Sequence, residues 1–246
     1  MMPQELLVET LRTVRVHPWW MARAKLALAA LRAEGVRPPA RVIDIGCGWG
    51  TNLDALERGG YEVCGLDISR KILEAIDRPD RVLIEGDLTQ ELPREREEFD
   101  GFLALDVIEH LDDDRGATAK FAQLVRAGAV GIVSVPAQPE LFSEFDSVQG
   151  HRRRYTPERL REAFEGSGLE VLRIFWWGQW MVPVLRRMRR KESSGRQAAK
   201  TYAEYLRLPP WPGPLVMRIL YAREERPALR GELRTGTSLF AVVRKK

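Results

Sequence analysis

The chain of 246 residues contains 44% hydrophobic and 30% charged residues, a composition that allows a buried core and is typical of a globular, water-soluble protein. Its formal net charge of +4 is a mild excess, which gives little support to a nucleic-acid-binding role. The two cysteines lack C-x-x-C spacing, which argues against a disulfide framework or a zinc site and favours a reducing compartment.

The N-terminal segment MMPQELLVETLRTVRV is amphipathic and of mixed charge, unlike a signal peptide. The most apolar window, residues 174–185, is too short to span a bilayer. We therefore expect a cytoplasmic protein.

Strands and helices alternate between residues 41 and 136. Runs rich in β-branched residues predict five strands: RVIDIG, YEVCGLDIS, RVLIEGDL, FDGFLALDV and AVGIVSVPA. Segments with helical spacing lie between them, namely TNLDALERGG, RKILEAI and GATAKFAQLVRAGA. This alternation predicts a parallel sheet with helices on both faces.

The pattern changes after Pro136. The polar loop QPELFSEFDSVQGHRRRY leads into the helical segment TPERLREAFEGSG, where Thr156 is the predicted N-cap and Pro157 takes the first helical position. LEVLRIF is the predicted sixth strand and GTSLFAVVRKK contains the seventh. Between them, residues 176–234 form a long insertion rich in Trp, Pro and Arg.

The turn after the first strand carries three alternate glycines, Gly46, Gly48 and Gly50. Glycines at these positions let the backbone turn tightly and approach a ligand closely. A dinucleotide fingerprint needs G-x-G-x-x-G, but Thr51 stands where its last glycine should be. The turn is therefore a ligand-binding loop whose spacing disfavours a nicotinamide cofactor.

The next two strands also end in residues that are suited to bind a ligand. Asp67 ends the second strand, where a carboxylate can accept hydrogen bonds from both hydroxyls of a ribose. Asp87 and Leu88 end the third strand and suit the edge and face of an adenine. The carboxyl ends of neighbouring parallel strands meet at one edge of the sheet, so these residues together predict a nucleoside site.

This set of motifs resembles the class I S-adenosylmethionine-dependent methyltransferases. VIDIGCGWG is similar to their first motif, LDVIEHL to the segment after their fourth strand, and SLFAVVRKK to their last strand. The resemblance implies a seven-stranded Rossmann-like sheet, mostly parallel with an antiparallel seventh strand, and helices on both faces. It also implies S-adenosylmethionine as the methyl donor and S-adenosylhomocysteine as the product.

Two further segments resemble one bacterial subgroup of that family. HPWWMARAK, residues 17–25, is similar to an N-terminal HWWF-x-x-R signature, although Pro18 and Met21 depart from it. GHRRRYTPERLREAFEGSGLEVL matches the segment between that subgroup's fifth and sixth strands. The subgroup implies a small-molecule, glycan or lipid-linked acceptor, and we expect methylation of an oxygen or nitrogen atom, with carbon the less favoured alternative. We expect one domain, with a helical lid at 1–38, a cofactor-binding core at 39–175, a substrate or lid insertion at 176–234 and a final strand at 235–246.

The resemblance also assigns roles to individual residues. The three glycines would pass the methionine part of the cofactor, Asp67 would hold the ribose, and Asp87 and Leu88 would flank the adenine. Arg23 would bind the methionine carboxylate and Trp20 would form part of a lid, unless Trp19 and Trp20 only pack in the core. The complete predicted cofactor set is Trp20, Arg23, Asp44, Gly46, Cys47, Gly48, Gly50, Asp67, Ile68, Asp87, Leu88, Leu105 and Asp106.

Methyl transfer requires alignment of the acceptor, the methyl group and the sulfur, and a general base helps when the acceptor is a hydroxyl or an ammonium. His110, His151 and Tyr155 are the candidates for that base. Each has a structural alternative: His110 would hold its loop through a backbone carbonyl, and His151 would lie in a solvated stretch before a helix. Asp146 is a weaker candidate, which would orient His151 or bind an amine substrate.

A metal role is the less favoured interpretation of the segment D-x-x-E-H at residues 106–110. Some methyltransferases bind a divalent ion with E-x-x-E-H and a later histidine, but here the cofactor claims Asp106. We therefore predict no metal.

The apolar and basic residues at 174–191 have three possible roles: a pocket wall or lid, a dimer contact, or a peripheral membrane contact. We expect a monomer or homodimer that binds no nucleic acid. Two rival functions remain from the sequence: a nicotinamide-dependent oxidoreductase, and a non-catalytic module that uses the fold to bind a partner or a membrane.

Overall fold

The computed structural model describes residues 4–78, 81–92, 99–193, 204 and 206–246. Part of the predicted insertion, residues 194–203 and 205, lies outside the described residues, as do the side chains of Arg190 and Lys191. Among the described residues, no helix is both long enough and apolar enough to cross a membrane.

Seven strands form one sheet in the order β3-β2-β1-β4-β5-β7-β6. The first five are mutually parallel along this order, and β7 is antiparallel to both of its neighbours. This is the predicted seven-stranded sheet with an antiparallel last strand, so the predicted fold is confirmed. The strands are β1 Arg41–Ile45, β2 Glu62–Asp67, β3 Val82–Glu85, β4 Phe99–Leu105, β5 Val125–Pro136, β6 Leu169–Trp177 and β7 Ser238–Lys245.

Nine helices are described around the sheet. They are α1 Gln4–Val16, α2 Pro18–Ala33, α3 Thr51–Arg58, α4 Arg70–Ile76, α5 Asp114–Leu124, α6 Glu144–Gln149, α7 Pro157–Glu162, α8 Met181–Ser193 and α9 Gly213–Leu229. Short 3₁₀ turns cover Ile108–His110 and Pro139–Leu141. The helices α8 and α9 lie between β6 and β7, as the predicted helical insertion requires.

The period-two alternation of the strands divides the core between the two faces of the sheet. On β4, Phe102 packs with Phe121 of α5, whereas its neighbour Leu103 packs with Leu31 of α2. Tyr221 of α9 belongs to the same cluster as Leu31. Since both faces are covered, the central strands β1 and β4 are buried along nearly their whole length, as expected for a parallel sheet covered on both faces.

The strand order reverses between β1 and β4, which are neighbours although β2 and β3 lie between them in the chain. In open α/β sheets the turns that follow the carboxyl ends of such strands form a ligand-binding crevice. The topology therefore brings the glycine turn after β1 next to the segment after β4.

Helix α2 begins at an unusual cap. The N-cap residue is His17, whose Nδ1 accepts a hydrogen bond from the backbone N–H of Trp19 at 3.2 Å, and Pro18 occupies the first helical turn. Burial lowers the pKa of His17 to about 4. The imidazole is consequently neutral at pH 7, as an acceptor at Nδ1 must be.

We expect this cap to make stability depend on pH. The folded pKa of His17 lies below its unfolded value near 6.5, so its contribution is complete above pH 6.5 and is lost as the pH falls towards 4. Between pH 7.5 and pH 5 the wild-type protein should lose about 2 kcal/mol more stability than His17→Asn, because asparagine caps helices without titrating. Denaturant unfolding of both proteins at the two pH values measures the difference; equal losses would contradict it.

Candidate functional site

A cavity of about 690 Å³ opens at the carboxyl ends of the parallel strands. Ligand sites of small-molecule enzymes have volumes in this range. Eleven of the thirteen predicted cofactor residues line it: Trp20, Arg23, Gly46, Cys47, Gly48, Asp67, Ile68, Asp87, Leu88, Leu105 and Asp106. The cavity also contains the side chains of His110 and His151.

The glycine turn adopts a backbone that only glycine accepts easily. Gly46, Gly48 and Gly50 have φ angles of +70°, +44° and +70°. At Gly46, a Cβ atom would lie 2.6 Å from Cγ2 of Val107, the residue that follows Asp106. The turn after β1 and the segment after β4 thus touch at a point with no room for a side chain.

Asp67 fixes the shape of that turn. Its Oδ2 accepts a hydrogen bond from the backbone N–H of Gly48 at 2.9 Å, and its Oδ1 accepts one from Ser69 at 2.9 Å. Burial raises the pKa of Asp67, while the N–H donors of Ser69 and Gly48 oppose that shift. The carboxylate therefore lies in the cavity wall and also connects the end of β2 to the glycine turn.

Two predicted cofactor residues do not line the cavity, Asp44 and Gly50. Asp44 is fully buried, and its Oδ1 accepts a hydrogen bond from Nδ2 of Asn52 at 3.1 Å. Burial raises its pKa to about 7. Gly50 is the N-cap of α3. The geometry gives Asp44 and Gly50 a supporting position beneath the turn, whereas Asn52, which the sequence did not single out, lines the cavity.

Arg23 and Asp106 form an ion pair across the cavity wall. Asp106 has a φ of 59°, which is uncommon for a residue with a side chain, and its Oδ1 accepts a hydrogen bond from Ser134 Oγ at 2.9 Å. The guanidinium of Arg23 also lies over the ring of Trp19, 4.7 Å from its centroid. Among the described residues, the buried Nε of Arg23 has no hydrogen-bond partner. The pair places one cation and one anion side by side in the cavity.

Three tryptophans stand together near the glycine turn. Trp20 is 4.9 Å from Trp19 and 5.9 Å from Trp49, measured between ring centroids. Trp20 and Trp49 both line the cavity. Trp20 packs in a buried apolar cluster with Val14 and Leu206 and also lines the cavity. Both interpretations of Trp20, lid and core residue, agree with these contacts, so the lid role stays a prediction. Trp49 was missed because its neighbours in the motif are glycines, which drew attention to the backbone alone.

The two histidines lie side by side, with ring centroids 4.8 Å apart. His151 Nδ1 is 3.0 Å from Oδ1 of Asp146, and Arg154 donates two hydrogen bonds to the same carboxylate at 2.8 and 3.0 Å. Although burial raises the pKa of Asp146, the bond from His151 and the charge of Arg154 lower it to about 2. The predicted orienting role of Asp146 therefore has a matching geometry.

His110 is held by its loop as well as facing the cavity. Its Nδ1 is 3.3 Å from the carbonyl oxygen of Gly150, and burial lowers the pKa of His110 to about 4. The adjacent Glu109 is fully buried. Burial and the charge of Asp106 raise the pKa of Glu109 well above its usual value.

Tyr155, the third predicted base, does not line the cavity. It is fully buried in the core cluster on the α5 face, and its hydroxyl donates to Oδ2 of Asp114 at 3.0 Å. Burial and the charge of Asp114 raise the pKa of Tyr155, so its phenol stays protonated. The sequence pattern places Tyr155 in the loop before α7 and does not show that it points into the core.

We expect Tyr155→Phe to keep its turnover within about twofold of wild type and to lose about 1–2 kcal/mol of stability, because it removes one buried hydrogen bond. Asp114 keeps its contacts with Arg153 and Arg159 in this variant. Urea unfolding and a methyl-transfer assay measure the two quantities. A large loss of turnover at unchanged stability would restore Tyr155 as a catalytic residue.

The insertion supplies an apolar wall. Met181, Val184, Leu185 and Met188 of α8 all line the cavity, with the i, i+3, i+4, i+7 spacing of one helix face. Further apolar residues come from the chain after it: Leu206, Leu208, Pro209, Met217 and Tyr221. The spacing on α8 is visible in the sequence, but nothing there shows which space that face borders.

The aromatic part of the segment 174–191 packs against the protein itself, whereas Val184, Arg186 and Arg187 of α8 are exposed. Phe175 and Trp177 are buried in the sheet, and Trp180 lines the cavity beside Tyr221, with ring centroids 5.0 Å apart. These contacts favour the pocket-wall interpretation over a membrane or dimer contact.

Comparison with known proteins agrees with this geometry. The family described as "Methyltransferase domain" matches residues 20–174. A ubiquinone biosynthesis O-methyltransferase from Mesorhizobium japonicum is 33% identical over 162 residues, an alignment that covers 58% of this chain and 64% of that protein. The chain thus spans less than two thirds of the length of this curated relative.

Solved structures share the fold at low sequence identity. A SAM-dependent methyltransferase from Archaeoglobus fulgidus has a TM-score of 0.55 and 20% identity, covering 90% of this chain and 94% of that one. The phosphoethanolamine N-methyltransferase 2 of Haemonchus contortus, in complex with S-adenosylmethionine, has a TM-score of 0.54 and 16% identity, covering 89% and 52%. At these identities the likeness shows the fold alone.

The family match covers 20–174, which contain the glycine turn, Asp67, the segment after β4, His110 and His151. The chain therefore belongs to the methyltransferase-domain family of class I S-adenosylmethionine-dependent methyltransferases.

Proposed function

We propose that the protein transfers a methyl group from S-adenosylmethionine to an oxygen of a small-molecule acceptor that has an extended apolar part. One observation carries this proposal: a single cavity joins the glycine turn and Asp67, the two histidines, and the apolar face of α8. We also propose that the chain belongs to the HWWF-x-x-R subgroup. The acceptors of that subgroup are small molecules, glycans or lipid-linked compounds.

The cofactor half of the cavity suits each part of S-adenosylmethionine. Asp67 would accept hydrogen bonds from the ribose hydroxyls, with Asp87 and Leu88 beside the adenine. The methionine end of the cofactor is a zwitterion, and Arg23 with Asp106 offers one group of each opposite charge. The guanidinium of Arg23, which lines the cavity, would attract the methionine carboxylate.

The reaction requires no covalent bond between the protein and the substrates. The acceptor oxygen forms a bond to the methyl carbon as the bond from that carbon to sulfur breaks, and the sulfonium becomes a thioether. The hydroxyl proton of the acceptor passes to an imidazole of the cavity or to water. The chain has to align the three atoms and exclude water. His110 and His151 are the polar groups of the cavity that would contact the acceptor hydroxyl.

The acceptor class follows from the far wall of the cavity. Met181, Leu185 and Met188 present flexible apolar side chains, which accommodate an acyl, prenyl or aromatic body better than a bare glycan. The printed name of the Mesorhizobium japonicum relative is that of an O-methyltransferase, which supports oxygen over nitrogen or carbon as the methylated atom. We also propose a cytoplasmic location and a monomer or homodimer, on the composition discussed above.

A radiolabelled-methyl assay with paired acceptors tests the proposal. Phenols and hydroquinones with and without a prenyl or alkyl tail are offered at equal concentrations, together with free sugars. We expect product with the tailed hydroxyl compounds and a lower kcat/KM for their tail-free partners. Product with sugars or amines alone would overturn the acceptor assignment. Met188→Arg serves as a matched variant, because it should reduce the preference for the tail without weakening cofactor binding.

A further inference from the structure

Three metal-ligating side chains converge at the acceptor side of the cavity. Glu109, His110 and His151 each offer one ligand atom, and these atoms lie within 4.8 Å of one another. The Nε2 of His151 is 4.0 Å from Oε1 of Glu109. A cation with bonds of about 2.0–2.2 Å to nitrogen and oxygen would need the three groups to draw together by less than about 1 Å each.

Both imidazoles are oriented as metal ligands usually are. The Nδ1 of His151 faces the carboxylate of Asp146 at 3.0 Å, and the Nδ1 of His110 faces the carbonyl of Gly150 at 3.3 Å. Both partners are acceptors, so each Nδ1 carries the proton and each Nε2 keeps its lone pair. A carboxylate or carbonyl behind a histidine fixes metal-ligating imidazoles in this way.

Glu109 supplies an independent reason to expect a ligand. Its side chain is fully buried, and within the described part of the chain neither carboxylate oxygen has a hydrogen-bond partner. Buried polar groups are nearly always satisfied, and one that is not needs an explanation. Asp106 does not complete the set, because Arg23 and Ser134 occupy its oxygens.

We propose that Glu109, His110 and His151 form a binding site for a divalent cation that accepts nitrogen and oxygen ligands, of which Zn²⁺ is the representative. Two imidazoles and one carboxylate are the protein ligands of several catalytic zinc sites, which keep a further position open. His110 and His151 line the cavity, so that open position faces the acceptor. This role rests on the proposed function: a cation there would bind the acceptor oxygen and favour its deprotonated form.

The sequence predicted no metal because Asp106 was assigned to the cofactor. The structure keeps Asp106 apart from the cluster but brings His151 from the loop before α7 next to Glu109 and His110. The sequence pattern offered His151 only as a fourth ligand beside Asp106, and it could not show that His151, 41 positions after His110, meets Glu109 and His110 without Asp106.

Calorimetric titration of the chelator-treated, cofactor-free full chain with Zn²⁺ tests the site. We expect one ion per chain, and at least tenfold weaker binding for both Glu109→Gln and His151→Ala. Asp112→Asn, an exposed acid in the same segment, is the control and should bind as wild type does. Glu109→Gln keeps the shape of the buried side chain, so its melting temperature should not fall; this separates lost ligation from misfolding.

Binding to wild type that is no tighter than to Glu109→Gln would overturn the proposal. A titration of the same metal-free preparation with S-adenosylmethionine separates this failure from a failure of the proposed function, because the cofactor residues lie outside the cluster. With an acceptor in hand, chelation should lower turnover without changing the affinity for the cofactor.

Discussion

Asp67→Ala is expected to weaken the binding of S-adenosylmethionine by about 100-fold or more. Hydrogen bonds to a charged group contribute about 1.5–3 kcal/mol each, and the variant would lose two bonds to the ribose. The effect should exceed that loss, because Asp67 also accepts the N–H of Gly48 and the N–H of Ser69, both at 2.9 Å. Without these bonds the glycine turn is no longer fixed against the end of β2.

Calorimetric titration with S-adenosylmethionine measures the change. Asp67→Asn keeps the size and one acceptor oxygen of the side chain, so its affinity should fall between those of wild type and Asp67→Ala. Asp112→Ala removes an exposed carboxylate and serves as the control for net charge. Wild-type affinity in Asp67→Ala would show that the cofactor lies elsewhere.

His151→Ala is expected to lower turnover by about 100-fold or more while the affinity for S-adenosylmethionine stays within about twofold. Polar groups that handle the acceptor's proton typically contribute factors of about 10²–10⁴. The affinity should stay unchanged because His151 belongs to the acceptor half of the cavity, whereas Asp67, Arg23 and the glycine turn bind the cofactor.

Single-turnover methyl transfer and calorimetry measure these two quantities separately. Arg152→Ala is the neighbouring control, since the Arg152 side chain is half exposed and pairs only with Asp112 at 3.4 Å among the described contacts of its guanidinium. It should retain wild-type turnover. If His151→Ala loses cofactor affinity in the same proportion as turnover, the histidine acts on the cofactor or on the fold and not on the acceptor.

The sequence predicted the fold well because the relevant signals are local. Each of the five parallel strands is a short apolar run, and the turns between strands and helices carry their own capping residues and glycines. The carboxyl ends of parallel strands share one edge of the sheet, so motifs as distant as Gly46 and Asp87 were placed in one site without knowledge of any contact.

The predictions that the structure modified concern the direction of side chains. Tyr155 and His151 are four residues apart in one polar loop, yet Tyr155 points into the core and His151 into the cavity. No periodicity applies to an irregular loop, so the sequence cannot separate them. Asp44 is a similar case. Both faces of its strand are buried, so the alternation of side chains along the strand does not show whether Asp44 lines the cavity or lies in the protein interior beneath it.

The sequence also did not predict contacts between residues that are far apart in the chain. The ion pair between Arg23 and Asp106 joins residues 83 positions apart, and the apolar wall joins α8 to residues near α9. Such contacts depend on how helices dock on the sheet, which the sequence pattern leaves open. The sequence assigned Arg23 to the methionine carboxylate and did not predict its ion pair with Asp106.

The most direct test of the central claim is calorimetric titration of the full chain with S-adenosylmethionine and, separately, with NADH. We expect one S-adenosylmethionine per chain with a dissociation constant on the order of micromolar, within the usual range for enzyme substrates, and no heat from NADH. Absence of binding at about 1 mM S-adenosylmethionine, or binding of NADH in its place, would contradict it.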